Sequence, residues 1–419
     1  MGIGGSGMSA IAQIAHSQGF KISGCDLSLD TPYIGKVRKT GIKLYSGHSP
    51  DHLKNADVLA VTPAVFYQND NHPETTLGKE KGILTKWQDF MGTYLHKGKY
   101  LICVAGTHGK STTTALVGLL LEKAGLDPTV EVGATLKDWH NNVRIGKSEY
   151  FVCEADEFHD NFSTYRPDII LLTLVEYDHP EYFGTVDNML SCYQRFINRL
   201  KPGGVVIFNA DSPLTRKLKF PKNSIPYHLS DFPESLPLSQ PGNHNRSNAL
   251  AIIKLAEFLK ISDTDLYFVL KHFQGLERRL DFLGEKNGVK VYDDYANHPS
   301  SFLATLSAIK EINPRSPVWV IIEPHTFTRL RVMLEQLPNA VKDADHIIVS
   351  KIFASREKDP GDFTGADIIS AMHHKSAVYI PEFCDIVSYL KSRIQPGDVV
   401  LVMGSGNSYK LSRQILSII

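Results

Sequence analysis

The chain has 419 residues, of which 42 % are hydrophobic and 21 % charged, as expected for a folded globular protein of two or three domains. Basic and acidic residues both number 45, so the net charge is zero, which argues against a dominant nucleic-acid-binding surface. The sequence contains neither a membrane-length apolar run nor a signal peptide, so we expect a cytoplasmic protein without a membrane or nucleic-acid partner. The five scattered cysteines predict buried reduced thiols rather than disulfides or a structural zinc site: Cys25, Cys103, Cys153, Cys192 and Cys384.

The first motif is a glycine-rich loop at residues 2–7 that satisfies G-x-G-x-x-G. A helical pattern follows, then a predicted strand at residues 20–23 with Asp26 beyond its end. Such a βαβ opening places a pyrophosphate on the helix N-terminus and an acidic residue near a ribose, although the strand that usually precedes the loop is not visible. This loop and Asp26 alone would also fit an NAD-dependent dehydrogenase, an interpretation that leaves the second motif unexplained.

The second motif joins a predicted buried strand at residues 101–105 to a predicted helix at residues 112–123 through Gly106-Thr-His-Gly-Lys-Ser111. Backbone N–H groups at a helix start, together with the helix dipole, attract phosphate oxygens. We expect Lys110 to reach the β- and γ-phosphates of a nucleotide and the Ser111 hydroxyl to bind Mg²⁺. Val104 stands where the usual motif has its first glycine, but the strand–turn–helix context still predicts a nucleotide site.

Acidic, imidazole and basic side chains follow several later strands. Glu154 ends the strand predicted at 149–154, and His179 follows the strand predicted at 168–175. Both residues could complete a Mg²⁺ site with Ser111 or be solvated loop-end residues. The polar run at 241–248 suits either helix capping or nucleotide contact. Three further groups follow the junction near residue 275: the pair Arg278-Arg279, which would clamp phosphate or lie on the surface, the cluster Asp293, Asp294 and His298, and the pair His325 and Arg329.

These motifs together resemble those of the Mur ligase family over essentially the whole chain. The matching segments are Gly2-Ile-Gly-Gly-Ser-Gly-Met-Ser9, Gly106-Thr-His-Gly-Lys-Ser-Thr-Thr-Thr114, Glu154-Ala-Asp-Glu157, Asp178-His179, His244-Asn245 with Asn248, Tyr292-Asp-Asp-Tyr295 with His298-Pro299, and Pro324-His-Thr-Phe-Thr-Arg329. The resemblance implies an α/β protein of three domains: a Rossmann-like UDP-sugar-binding domain (1–97), a central P-loop-type ATP-binding domain with a mostly parallel sheet (98–275), and a C-terminal Rossmann-like amino-acid-binding domain (276–419).

The resemblance also implies the reaction, which is closest to that of family members that join L-alanine to UDP-N-acetylmuramate in peptidoglycan synthesis. ATP and Mg²⁺ are the implied cofactors, and an acyl phosphate is the implied intermediate. Family members that join a murein tripeptide for recycling are the alternative, although residues 158–165 lack their basic and aromatic stretch. A non-catalytic nucleotide-binding regulator with a ligase fold is a further alternative. We expect a monomer or a homodimer.

The resemblance assigns roles to individual residues. The implied metal ligands are Ser111, Glu154 and His179. The implied catalytic residues are Lys110, Glu154, His179, His325 and Arg329. The implied nucleotide contacts are Gly106, Thr107, His108, Gly109, Lys110, Ser111, Thr112, His244, Asn248, Arg279 and Asp294. The implied substrate contacts are Gly4, Gly5, Ser6, Gly7, Met8, Asp26, Tyr295, Asn297 and His298.

Overall fold

A computed structural model describes residues 1–63, 65–66 and 71–419. The chain forms two compact units, each of the α/β class. The first unit comprises Met1–Tyr177, Thr185–Ser239 and Ser247–Gln274. The second unit comprises Asp178–Gly184, Gln240–Arg246 and Gly275–Ile419.

The N-terminal part of the first unit contains two short parallel strand pairs. β1 (Ser23–Asp26) pairs with β2 (Lys43–Ser46), and β3 (Leu59–Val61) pairs with β4 (Leu84–Lys86). The strand predicted at 20–23 therefore begins later, because pairing with β2 starts at Ser23, and it ends on Asp26 instead of before it. The helices here are Ser6–Ser17, Ile34–Arg38, Pro73–Glu80 and Trp87–Phe90, the last continuing as a π-helix over Met91–Leu95.

A seven-stranded sheet follows in the order β11-β10-β9-β5-β8-β6-β7. The strands are β5 (Tyr100–Ala105), β6 (Thr129–Leu136), β7 (Asn141–Arg144), β8 (Tyr150–Ala155), β9 (Ile169–Leu172), β10 (Val205–Asn209) and β11 (Ile225–Tyr227). All neighbours are parallel except the β6–β7 hairpin, which confirms the expected mostly parallel sheet. The accompanying helices are Lys110–Lys123, Val186–Ile197, Asn243–Leu259 (its first turn belongs to the second unit) and Asp263–His272.

The hairpin, which the sequence analysis missed, contacts the N-terminal helix Ser6–Ser17. The fully buried Asn142 amide donates to Ser6 O at 2.7 Å, and Asn141 Nδ2 donates to Gln13 Oε1 at 3.2 Å. Lys36 Nζ also donates to Thr135 Oγ1 at 2.9 Å. These contacts join the glycine-rich N-terminal part to the central sheet within one unit.

The second unit has a six-stranded sheet in the order β12-β13-β17-β14-β15-β16, parallel except for β12–β13. Its strands are β12 (Asp281–Lys286), β13 (Val289–Asp294), β14 (Val318–Ile322), β15 (His346–Val349), β16 (Ala377–Tyr379) and β17 (Val399–Met403). Its helices are Pro180–Phe183, Pro299–Ile312, Phe327–Met333, Leu337–Ala340, Gly365–Met372, Phe383–Lys391 and Ser408–Ile418.

Alternation along β14 shows that this sheet is covered on both faces. Val318, Val320 and Ile322 belong to one hydrophobic core cluster, while Trp319 and Ile321 belong to another. Continuous apolar strands between two helical layers are typical of doubly wound α/β domains. Among the described helices, none is long and apolar enough to span a bilayer.

Candidate active site

The phosphate-binding motif lies between β5 and the helix Lys110–Lys123, which begins two residues earlier than predicted. Gly106 has a φ of +133° and Gly109 a φ of +85°, conformations that L side chains rarely adopt. A Cβ atom on Gly109 would also collide with the Asn248 amide oxygen, so the turn requires glycine there. The first N–H groups of the helix, at Lys110, Ser111 and Thr112, have no intrahelical acceptor and are therefore suited to phosphate oxygens.

Lys110 is held at the mouth of this turn. Its Nζ donates to Gly106 O at 2.6 Å and to Glu157 Oε2 at 2.9 Å. Burial alone would lower the pKa of Lys110, but the carboxylates of Glu157, Asp156 and Glu154 outweigh it and raise that pKa above its ordinary value. The lysine is therefore a permanent cation whose side chain remains 17 % exposed.

The turn is fastened to the residues that follow β9. Thr173 Oγ1 lies 3.0 Å from Ala105 O and 2.6 Å from His108 O. Thr107 Oγ1 donates to Glu176 O at 2.8 Å, and His108 Nε2 lies 3.1 Å from Glu176 Oε2. Thr107 and His108, both predicted nucleotide contacts, thus also fix the shape of the turn.

Glu154 lies near the end of β8, as predicted, and its carboxylate is oriented by Gly133 N, which donates to Oε1 at 2.5 Å. Beside it Glu131 Oε2 accepts from Glu154 N at 3.4 Å. Burial, with the Glu154 carboxylate close by, raises the pKa of Glu131 well above its ordinary value. The carboxylate of Glu154 and the buried Ser111 hydroxyl are oxygen donors of the kind that Mg²⁺ prefers.

The N-terminal glycine loop is closed by Asp26. Gly4 N donates to Asp26 Oδ2 at 2.8 Å, and Thr31 Oγ1 donates to Gly4 O at 2.9 Å. Gly5 is the N-cap of the helix that starts with Ser6. One carboxylate oxygen of Asp26 therefore orders the loop.

The last residues of the motif pack against the rest of the N-terminal part. Gly7 lies against Trp87, whose ring would be 2.5 Å from a Cβ at that position. Met8, a predicted substrate contact, is buried in the hydrophobic core of the N-terminal part.

The polar run at 241–248 does not cap its helix from outside, as one interpretation had it. The helix begins at Asn243, so His244 and Asn248 lie within its first two turns. Asn248 is buried against Gly109 at the phosphate turn. His244 belongs to the second unit.

The second unit contains a buried ion pair at two predicted positions. Arg329 Nε donates to Asp178 Oδ1 at 2.8 Å and Nη2 donates to Oδ2 at 3.1 Å, while Nη1 contacts His325 Nδ1 at 2.9 Å. Against the cost of burial, Arg329, His179 and His298 hold the pKa of Asp178 well below its usual range. Burial and the neighbouring guanidinium groups lower the pKa of His325 to about 3, so its Nδ1 accepts from Arg329.

His179 lies at the N-cap of the short helix Pro180–Phe183 in a left-handed conformation, with a φ of +54°. Its Nδ1 is 3.3 Å from Glu181 Oε1 and 3.4 Å from Arg356 Nη2. Glu181 and Arg356 also form an ion pair. Although burial raises it, contacts with His179 and Arg356 hold the pKa of Glu181 at about 2.

The remaining predicted residues lie just before β12 and just after β13. The Arg278 and Arg279 guanidinium groups lie 5.0 and 4.8 Å from the centre of the Tyr295 ring, which is 37 % exposed. Asp294 accepts Leu280 N at 2.5 Å and Ala296 N at 2.7 Å, so both of its carboxylate oxygens hold backbone.

Two more residues follow on the same segment. Asn297 is half-buried. His298 caps the helix Pro299–Ile312, and its Nδ1 accepts Ser300 N at 3.2 Å.

Three family models match consecutive parts of the chain. They are described as the Mur ligase family catalytic domain (residues 1–96), the Mur ligase middle domain (104–232) and the Mur ligase glutamate ligase domain (278–406). The chain belongs to the Mur ligase family. The three-domain α/β architecture expected from the sequence follows from this membership.

Relatives that match over their full length share one enzyme name within the family. A UDP-N-acetylmuramate–L-alanine ligase of Acetivibrio thermocellus is 34 % identical, with 99 % of this chain and 94 % of the relative covered. The same-named protein of Alkaliphilus metalliredigens is 33 % identical over 100 % of this chain and 96 % of its own length. The Mur ligase resembles UDP-N-acetylmuramate–L-alanine ligases throughout its sequence.

Solved structures agree on the fold. The UDP-N-acetylmuramate–alanine ligase of Thermotoga maritima superposes with a TM-score of 0.81 at 25 % identity, covering 99 % of this chain and 97 % of that one. The murein peptide ligase of Psychrobacter arcticus gives a TM-score of 0.72 at 22 % identity over 100 % and 97 % of the two chains. The second match supports the fold alone.

Several residues of the site were not singled out from the sequence. Glu157 was seen as part of an acidic cluster, but its pairing with Lys110 depends on how β8 lies beside β5. Glu131, Thr173 and Arg356 carry no motif, and their roles depend on contacts distant in sequence.

Proposed function

We propose that this Mur ligase joins L-alanine to UDP-N-acetylmuramate at the expense of ATP, in the cytoplasmic stage of peptidoglycan synthesis. The observation that carries the ATP-dependent chemistry is Lys110, a half-buried cation held at a helix N-terminus by Glu157 and Gly106 O. The substrates are inferred from the full-length relatives, which share the family's motifs and bear that enzyme name. We retain residues 1–97, 98–275 and 276–419 as the proposed UDP-sugar, ATP and amino-acid domains.

In the first step an oxygen of the muramoyl carboxylate attacks the γ-phosphorus of ATP. The bond from that phosphorus to the bridging oxygen breaks, and ADP leaves while an acyl phosphate forms. Lys110 exchanges its contact with Glu157 for the transferring phosphoryl oxygens, whose charge spreads in the transition state. Backbone N–H groups from Gly109 to Ser111 orient the phosphates.

In the second step the neutral amino group of L-alanine attacks the acyl carbonyl carbon. A tetrahedral intermediate collapses to an amide, inorganic phosphate leaves, and the nitrogen loses a proton. Tyr295, Asn297, His298, His325 and Arg329 are the proposed surroundings of the amino acid. Because Arg329 is already paired with Asp178, we assign it a positioning role for His325 in place of direct contact with substrate.

Ser111 and Glu154, with His179 from the second unit, are the proposed Mg²⁺ ligands. When bound, Mg²⁺ would neutralise phosphate charge. The glycine loop from Gly4 to Gly7 is the proposed seat of the UDP diphosphate.

The decisive experiment measures phosphate release from ATP and Mg²⁺ with UDP-N-acetylmuramate and one acceptor at a time. The acceptors are L-alanine, glycine, L-serine and the tripeptide L-Ala-γ-D-Glu-diaminopimelate, with Lys110→Ala as the blank. We expect release that depends on L-alanine and disappears in the blank. Preference for the tripeptide would move the chain to the recycling branch, and absence of release with every acceptor would overturn the ligase assignment.

A further inference from the structure

A second cluster of chemically reactive side chains lies in the N-terminal part of the first unit, on four separate elements. Cys25 is on β1, His48 follows β2, His52 lies in the 3-10 helix Pro50–Leu53, and Glu74 lies in the helix Pro73–Glu80. We call these four residues the Cys25 cluster. None of them has a role in the proposed ligase reaction.

Three donor atoms of the cluster, on Cys25, His52 and Glu74, all lie within 4.8 Å of one another. Cys25 Sγ lies 3.2 Å from His48 Nδ1 and 3.4 Å from Glu74 Oε1. His52 Nδ1 lies 3.5 Å from Glu74 Oε1, and His48 Nδ1 lies 3.8 Å from Glu74 Oε2. Donor atoms around a tetrahedral Zn²⁺ would be separated by about 3.3–3.6 Å, given metal–ligand bonds of about 2.0–2.3 Å.

Hydrogen bonds within the cluster leave one buried atom without a partner. The Cys25 S–H can donate to only one of the two Glu74 oxygens at a time, and His48 Nδ1 lies 3.2 Å from Cys25 Sγ. His52 Nδ1 is buried and makes no hydrogen bond, although it lies 3.5 Å from Glu74 Oε1. Buried polar atoms without partners are uncommon and call for an explanation, which a bound cation would provide.

The charge balance supports the same conclusion. Glu74 is 1 % exposed, and its ion-pair partners among the described residues are the two histidines, with neither a lysine nor an arginine. A buried carboxylate needs a cation or several hydrogen bonds, and here Ser49 N supplies one at 3.2 Å.

We propose that the Cys25 cluster forms a structural site for a divalent transition metal of the zinc type, with Cys25, His52 and Glu74 as the three ligands that converge and His48, beside Cys25, as the fourth donor. A thiolate, two imidazoles and a carboxylate favour Zn²⁺ over Mg²⁺ or Ca²⁺, which prefer oxygen ligands alone. Four protein ligands leave no open position, so the metal ties elements together and performs no chemistry. Such a site is not apparent from the sequence, because the four residues of the cluster are spaced 23, 4 and 22 residues apart, without a C-x-x-C pair.

Aromatic rings pack against the two histidines of the cluster and hold them in place. The Tyr45 ring stacks on His52 at 4.4 Å, and His72, the N-cap of the Glu74 helix, lies with its ring 5.4 Å from that of His48. Cys25 precedes Asp26, which holds the glycine loop through Gly4 N. The metal would therefore also steady the proposed diphosphate loop, although the site itself does not depend on the ligase assignment.

The test uses the full-length chain, stripped with a chelator, incubated with zinc chloride in excess Mg²⁺, and dialysed. We expect about one zinc per chain by elemental analysis, and a higher melting temperature with zinc than without. With cobalt chloride we expect a thiolate-to-cobalt charge-transfer band and intense tetrahedral d–d bands.

Matched variants locate the metal. Cys25→Ser and Glu74→Gln should weaken zinc binding at least about 100-fold and abolish the charge-transfer band. Cys384→Ser, which removes an exposed thiol, and Glu154→Gln, which alters the proposed Mg²⁺ site, should both retain zinc. Zinc retention in Cys25→Ser equal to that of the parent, or a parent that retains no zinc, would overturn the proposal.

Two controls separate the loss of zinc binding from misfolding of a variant. Circular dichroism checks each variant, and His52→Gln replaces Cys25→Ser if the latter unfolds. In the parent chain zinc should also slow the reaction of one thiol with a disulfide reagent. An unchanged reaction rate together with a cobalt spectrum lacking the thiolate band would contradict the site independently of any variant.

Discussion

Two basic residues that the motifs place in the active site make opposite kinds of ion pair. Lys110 meets Glu157 through one 2.9 Å contact and keeps 17 % of its side chain exposed. Arg329 grips both carboxylate oxygens of Asp178, and its side chain is 4 % exposed. A point charge on a flexible stem can exchange partners, whereas a planar guanidinium in a two-contact pair is expensive to release.

A basic residue in a motif can therefore either contact a ligand or hold other side chains of the protein in place. Lys110 rests on the Glu157 carboxylate, and we propose that phosphate replaces this contact during catalysis. Arg329 fixes Asp178 and the acceptor nitrogen of His325, so its value lies in the shape of the second unit. The predictions below test this division.

Removing Lys110 should produce the largest effect. We expect Lys110→Ala to lower kcat for phosphate release by about 10³-fold, since charge stabilisation of the transferring group is lost. Its melting temperature should also fall, because Glu157 is 1 % exposed and loses its cationic partner. A large loss of stability with normal kcat would break the comparison.

Removing Arg329 should act on stability first. We expect Arg329→Ala to lower the free energy of unfolding by about 3–5 kcal/mol, because Asp178 is left buried and unpaired. Denaturant midpoints measure the loss, and the double variant Arg329→Met with Asp178→Leu should recover much of it. A stable Arg329→Ala whose only defect is a raised KM for L-alanine would instead identify the arginine as a substrate contact.

The pH dependence of the second unit sharpens the contrast. The pKa of His325 is lowered to about 3 in the folded chain, so its contribution is present above pH 6.5 and is lost as the pH falls towards 3. Between pH 7 and pH 5 the parent should lose about 2 kcal/mol that His325→Gln does not lose. Denaturant midpoints of the two proteins at both pH values test this, and parallel behaviour would contradict it.

Freeing the lysine should have the smallest effect. Glu157→Gln leaves Lys110 charged but weakens its resting contact, so we expect kcat/KM for ATP to change by no more than about tenfold. Glu157→Asp is the matched control for carboxylate reach. A loss as large as that of Lys110→Ala would show that Glu157 acts in the reaction itself.

Much of the fold could be predicted from the sequence, because buried strands and strand-end polar clusters repeat in an α/β pattern. The end of β5 at Ala105 and the phosphate turn that follows it lie where expected. The β6–β7 hairpin was missed because its polar residues Asn141 and Asn142 resemble a loop, and their burial depends on a distant helix.

Most residues of the candidate site could be predicted from the sequence, but the contacts between them could not. Glycine turns and Lys110 follow from local spacing. The pairing of Arg329 with Asp178 joins positions 151 residues apart, and the Cys25 cluster joins positions up to 49 apart, so neither could be read from spacing. Cys384, predicted to be buried, is exposed on the helix Phe383–Lys391.

The Asn142 amide has a consequence for anyone who wishes to divide this chain. A fragment beginning near residue 98 would keep the β6–β7 hairpin but lose Ser6, the acceptor of a fully buried N–H. Such a fragment would carry an unsatisfied buried donor, which would destabilise it. Hydrogen bonds cross the boundary between the first two family domains of this chain. A stable expression fragment should therefore include both of these domains.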